Sequence, residues 1–163
     1  MKAAAMGEIE IVDLLIQSGA RIEASDPLYG FTPLLSAAAC GQSSSLKRLL
    51  DANASVNVVR GGSSIGSGET ALIAASEGGH VDCVLLLLEA GASLEAKSKV
   101  GTALMHAIEG GHVSILEMLI EAGANVNTLS SDGRTALVIS RQRLKKNIRM
   151  VKMLQDAGAK RYA

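Results

Sequence analysis

GlyGluThrAlaLeuIleAlaAlaSer (68–76) decides the reading of this chain, because the chain spells it in four versions. The others are GlyPheThrProLeuLeuSerAlaAla (30–38), ValGlyThrAlaLeuMetHisAlaIle (100–108) and GlyArgThrAlaLeuValIleSerArg (133–141). Their threonines fall at 32, 70, 102 and 135, in steps of 38, 32 and 33 residues. A second signature, a Gly-Ala pair closing an apolar run, begins at Gly19, Gly91, Gly123 and Gly158, with Asn53-Ala54 in the same slot. A third, Gly-Gly-His, occupies 78–80 and 110–112.

Each recurring residue has a mechanical reason. A threonine at the start of a helix caps free backbone N–H groups. Pro33 follows one of them, at the first helical position, where a missing N–H costs nothing. Small residues come five after each threonine, at Ala37, Ala75, Ala107 and Ser140, and are expected to mark close helix contacts between units. Gly41, Gly79 and Gly111 are expected to end the first helix in a left-handed conformation. The second helix carries apolar residues at helical spacing, such as Val113, Ile115, Leu116, Leu119 and Ile120. Gly91 and Gly123 end it, and Asn53 is the non-glycine residue most at ease there.

A period near 33 with these signatures resembles the ankyrin repeat, a turn followed by two antiparallel helices. The resemblance covers essentially the whole chain. It implies an all-α solenoid of stacked helix pairs joined by β-hairpin-like turns. The single domain 1–163 divides into a partial unit at about 1–25 and units at 26–59, 60–97, 98–129 and 130–163. One unit cannot bury its apolar face alone, so stacking creates a continuous core.

The pattern has departures. The first threonine would lie before Met1, so either the chain is a fragment of a longer protein or its first helix frays. The Gly/Ser-rich segment 60–68 is about five residues longer than the period requires and reads as a mobile hairpin tip. Val100 replaces a turn glycine, and Lys146 and Asn147 replace Gly-His in the last unit. The family's TPLH histidine is absent, with Leu35, Ile73, Met105 and Val138 in its place.

Composition bounds the function. Lys and Arg number 16, Asp and Glu 16, so no global field draws nucleic acid or membrane. Two cysteines, Cys40 and Cys83, form no disulfide framework and suit a reducing compartment. No stretch is long enough to cross a bilayer; the apolar run 84–88 is far too short. The expectation is a soluble, intracellular, monomeric protein, cytoplasmic or nuclear.

Chemistry is poorly represented. His80 and Cys83 are two candidate ligands with no second pair at metal spacing, so the histidines at 80 and 112 are read as turn residues whose rings order the loop. His106 is read as a packing residue. The glycines at 62, 66 and 68 before Thr70 superficially resemble a phosphate loop, but Glu69 stands where a lysine is needed. No catalytic motif appears. Neither an enzyme nor a cofactor is expected.

The charges are unevenly placed. Residues 1–132 hold 7 cations against 15 anions, a net of −8, and 133–163 hold 9 against 1, a net of +8. A polar outer face on the last unit is the simplest account, since it has no neighbour to cover it. The alternative function is polyanion or nucleic-acid binding through this basic unit, although no aromatic residues interleave its cations to stack bases.

In proteins this sequence resembles, partner proteins or peptides bind the concave face formed by hairpin tips and first-helix ends. Carried over position by position, the candidate contacts are Tyr29 and Phe31, Glu69, Lys99 and Arg134 on the hairpins. Glu77, Glu109, Gln142 and Arg143 are the candidates on the helix ends. Tyr29 and Phe31 are two of three aromatics in the chain and the expected anchors. Glu69, Glu77 and Glu109 are expected to form an acidic stripe that favours a basic peptide.

Overall fold

The computed structural model describes residues 1–61, 68–142 and 148–160. Most of the Gly/Ser-rich insertion, along with Arg143 and its basic neighbours Lys145 and Lys146, lies outside the described residues. The described residues hold ten helices and no extended strand. They are α1 (Lys2–Met6), α2 (Ile9–Gln17), α3 (Pro33–Ala39), α4 (Ser43–Asp51), α5 (Ala71–Gly78), α6 (Val81–Glu89), α7 (Ala103–Gly110), α8 (Val113–Glu121), α9 (Ala136–Gln142) and α10 (Ile148–Asp156). Each odd-numbered helix packs on the even-numbered one that follows it. Along the stack, odd helices touch odd and even touch even, giving two layers in the order of the sequence.

Local chemistry sets the helix starts. Thr32, Thr70 and Thr135 hold their side-chain oxygens 3.3–3.4 Å from the N–H groups of Leu35, Ile73 and Val138, which donate to them. Thr102 keeps the same extended backbone but begins α7 without a side-chain cap, a departure from the expected pattern. Pro33 opens α3 at a position that needs no N–H.

The helix ends follow one device. Gly41, Gly79 and Gly111 have φ of 69°, 77° and 77°, a left-handed backbone that costs glycine nothing. That turn lets the next amide donate back into the helix: Gln42 to Ala37, His80 to Ala75 and His112 to Ala107, at 2.9–3.0 Å. Asn53, at φ 63°, is the one described non-glycine residue in this conformation, and it closes α4 as the sequence predicts.

The small residues five after each threonine are almost fully enclosed: Ala37, Ala75 and Ala107 at 0% exposure and Ser140 at 5%. They lie where consecutive odd helices meet, so a larger side chain there would hold the layers apart. Leu87, Leu119 and Leu154 of the even helices are likewise at 0%. Burying a leucine of this kind is worth about 2 kcal/mol.

Adjacent units are also tied by polar contacts that the sequence reading missed. One loop amide per unit donates to a side chain of the unit before it: Ser55 to Glu23, Ser93 to Asn57, Asn125 to Glu95 and Lys160 to Asn127. These bonds measure 2.7–2.8 Å. The histidines belong to the same scheme. His80 Nε2 donates to the Ala39 carbonyl at 3.2 Å, and His112 Nε2 to the Glu77 carbonyl at 3.0 Å. Each ring therefore reaches back to the preceding unit rather than serving only its own turn. A Cβ added at Gly41 would come within 2.5 Å of the His80 ring, so that glycine also makes room for it.

Candidate protein-interaction surface

Hairpin fingers project from the stack between units, and three of them are each braced by one side chain. Asp26 accepts the amides of Leu28 and Tyr29 through Oδ1 and that of Phe31 through Oδ2, at 2.7–3.1 Å. These bonds, that of Tyr29 foremost, hold its carboxyl below the usual carboxylate range against the opposing effect of burial. Ser98 does the same work with a hydroxyl, accepting from Val100 and Gly101 at 3.1 and 3.3 Å. Ser130 accepts from the Arg134 amide at 3.0 Å. These are side-chain-to-backbone turns of the kind that short polar residues form.

Arg60 joins the first two fingers. Its Nε donates to the Tyr29 carbonyl and its Nη1 to Glu69 Oε2, both at 2.7 Å. Its guanidinium carbon lies 4.0 Å from the centroid of the Phe31 ring. The two charged side chains are each only 14% exposed, so water screens the pair weakly. Phe31 is half-buried, folded onto the core beneath this cation. Tyr29 points outward at 58% exposure. The two aromatics therefore divide their roles: Phe31 braces the finger and Tyr29 is presented.

The next finger meets the helices through His106. This ring is 5% exposed, with Nδ1 3.3 Å from Glu77 Oε2 and Nε2 2.8 Å from Ser98 Oγ. In the neutral ring, Nδ1–H donates to the carboxylate and Nε2 accepts the serine proton. His106 is thus more than packing: it links α7, the preceding α5 and its own finger.

These groups surround a cleft of about 250 Å³, lined by Arg60, Glu69, Glu77, Ser98, Lys99, Val100 and His106. Three of the candidate residues, Glu69, Glu77 and Lys99, meet there. Tyr29 and Phe31 connect to it through Arg60, and the rest do not line it. Glu109 is half-buried at the end of α7 and forms no ion pair among the described residues. Arg134 pairs with Asp132 and donates to Gln142 Oε1 at 2.8 Å. Arg143 lies outside the described residues. The acidic stripe is interrupted, because Glu69 is neutralised by Arg60 while Glu77 keeps a side chain 61% exposed. Arg60 had no repeating signal to mark it. Its importance comes from contact with a finger 31 residues earlier.

Burial and the neighbouring Asp82 push the Cys83 thiol up to about 11, burial having the larger effect, so it is un-ionised at neutral pH. Among the described residues, no group of three or more His, Cys, Asp or Glu converges as a metal site needs. No described helix is long and apolar enough to cross a membrane.

Known proteins carry the same repeat in their sequences. A family model described as ankyrin repeats (3 copies) matches residues 1–98 and again 96–162. The Drosophila melanogaster ankyrin repeat and KH domain-containing protein mask is 39% identical over 95 residues. That match takes in 58% of this chain but only 2% of the relative's length. Capped helix pairs, left-handed turn glycines and a stack built in chain order agree with the match along nearly all of the sequence: the chain belongs to the ankyrin-repeat family.

Proposed function

We propose that this domain binds a partner protein through an extended peptide or loop laid along the fingers and across the cleft, without catalysis. Ankyrin repeats serve generally as protein–protein interaction modules, and the Arg60 clamp is the observation that carries the reading to this face. By fixing Tyr29, Phe31 and Glu69 in advance, the clamp spares the complex much of the entropy of ordering them. The exposed Tyr29 ring supplies an amphipathic anchor. Glu77 and Lys99 at the cleft offer one charge of each sign, and Glu109 extends the acidic side. A segment with a basic residue opposite Glu77 and Glu109 and an acidic one near Lys99 fits this order.

The basic last unit supports polyanion binding less well, because two of its arginines already have acidic partners. Arg134 meets Asp132, and Arg149 meets Glu117 at 3.4 Å.

The test is affinity capture with four folded chains: native, Tyr29→Ala, Glu77→Lys and, for the basic end, Lys152→Glu. Partners retained by the native chain and lost by the first two variants support the concave-face reading. Equal retention by all four overturns it, and retention that fails only with Lys152→Glu transfers the function to the basic end.

A further inference from the structure

Of the three histidines in the chain, only His106 is buried, and it stands in the cleft. Its slot, four residues after the threonine, holds Ser36, Ala74 and Ile139 in the other units, none of which changes charge between pH 5 and 8. His80 and His112 turn Nε2 to backbone carbonyls, His112 meeting Glu77 through its main chain. The charges that face the His106 ring are few. Glu77 of α5 touches it, Lys99 comes from its own finger, and Arg60 and Glu69 come from the finger before and cancel each other. The other elements against α7 keep their charges off the cleft: Glu117 and Glu121 on α8 and Arg141 on α9 line no part of it. Glu109, one turn further along α7, and the Asp132–Arg134 pair do not line it either. With the ring neutral, the cleft therefore balances one anion, Glu77, against one cation, Lys99. A protonated ring leaves it cationic.

We propose that a proton on His106 switches this cleft from taking a basic residue to refusing one, so that partner binding there weakens as the solution turns acid. The inference rests on the reading that a basic residue of the partner seats against Glu77. The geometry gives the proton one place to go. Nδ1 already holds a hydrogen for Glu77 Oε2 at 3.3 Å, so the proton adds at Nε2, 2.8 Å from Ser98 Oγ. The serine hydroxyl then turns its own hydrogen from the ring to the Gly101 carbonyl, 3.3 Å away, and Nε2–H donates to Oγ. The Val100 and Gly101 amides, at 3.1 and 3.3 Å, are the longer bonds to that oxygen and share what remains of it. Every hydrogen keeps an acceptor, so the finger holds its shape and the change is one of charge. At 5% exposure the new charge is weakly screened. It lies against the same carboxylate that an incoming lysine or arginine must use, and so answers Glu77 from inside the protein.

The test is an NMR titration of the chain, at low salt, with an N-acetylated, C-amidated tri-arginine peptide, whose charge is constant over the range. Its affinity for the native chain should fall at least about threefold between about pH 7.5 and about pH 5.5, the size of one exposed ion pair. The carbon-bound ring protons of His106 should shift over the same interval with the same midpoint. Glu77→Gln, at a side chain 61% exposed, should lower affinity at the higher pH by a similar factor. His106→Gln should equalise the two affinities, and His112→Gln should leave the native dependence in place. Peptide binding that is absent, or indifferent to Glu77→Gln, removes the basic-residue reading of the cleft and this inference with it. Binding that needs Glu77 yet ignores pH, or follows a midpoint other than that of His106, overturns the proton switch alone. So does a dependence that survives His106→Gln or vanishes with His112→Gln. If His106→Gln does not fold, the two midpoints in the native chain still decide.

Discussion

Helices α2 and α8 are spelled almost alike and meet different fates. IleGluIleValAspLeuLeuIleGln (9–17) and ValSerIleLeuGluMetLeuIleGlu (113–121) are apolar at the same six positions. In α8, Ile115, Leu116 and Leu119 are fully enclosed; in α2 only Val12 is. The difference lies in the neighbours. α8 has an even helix on both sides, α6 and α10, whereas α2 has only α4. Stability in such a stack resides in the contacts between units as much as within them, so identical side chains do not contribute equally.

Matched truncations measure this most directly. Leu119→Ala opens a cavity in an enclosed layer and should cost about 3 kcal/mol. Leu15→Ala occupies the same slot at the open end and should cost less than about 1 kcal/mol, because nearly half of that side chain is already in water. Urea unfolding at a concentration where the chain is monomeric reads both. Equal losses would show that the end unit is packed as firmly as the interior.

Thiol labelling sharpens the contrast at the third position. In a Cys40→Ser background, Cys83 is enclosed and its thiol sits near 11, so it should react only when the stack opens. An Ile11→Cys variant with Cys83 also removed places a thiol in the equivalent slot of α2. It should react with a maleimide at least about 10³-fold faster at neutral pH, because folded exceeds open populations by a factor on the order of 10³ and above. Comparable rates would mean that the interior units open as freely as the end.

A third substitution at that position tests whether enclosure always stabilises. Ser45 is 0% exposed and its hydroxyl has no hydrogen-bond partner among the described residues. An unsatisfied buried hydroxyl costs roughly 1–3 kcal/mol, so Ser45→Ala should raise stability by about 1 kcal/mol once the slightly smaller volume is allowed for. A loss on that change would show that the hydroxyl is satisfied in solution.

The elements legible in sequence were those that each unit repeats. Threonine caps, turn glycines and enclosed alanines recur because each solves a backbone problem local to its own unit, and a period of about 33 makes such solutions visible. The contacts that join units were less legible. Arg60 acts on Tyr29 and Phe31 in the preceding finger, and Asn57 on Ser93 in the following loop, through pairs that appear once or change identity along the stack. Glu23, Asn57, Glu95 and Asn127 share one task with two chemistries, which hides the repeat from the eye. At the candidate surface, the slots came from the family pattern and the state of each side chain from the structure. Phe31 is a brace rather than a free anchor, and Glu69 is half of an ion pair.

The smallest effect expected lies in the fingers, where the N-terminal region and the enclosed fourth unit do one job with different groups. Asp26 braces its finger as a carboxylate and Ser98 as a hydroxyl, so only the first is sensitive to acid. The Asp26 carboxyl is held below its ordinary value chiefly by the Tyr29 amide, with smaller help from Phe31, Leu28 and the Arg60 charge. A depressed folded-state value means that its contribution is present above the unfolded value of about 3.9 and is lost as pH falls through the folded one. Backbone amide resonances of Leu28, Tyr29 and Phe31 should therefore move together below about pH 4, while those of Val100 and Gly101 stay in place. Asp26→Asn keeps one acceptor oxygen of the two and removes the charge, so it should abolish the acid transition and leave the finger looser at neutral pH. If Val100 and Gly101 shift with the same midpoint, the transition belongs to the stack as a whole, and the two fingers are not independently braced.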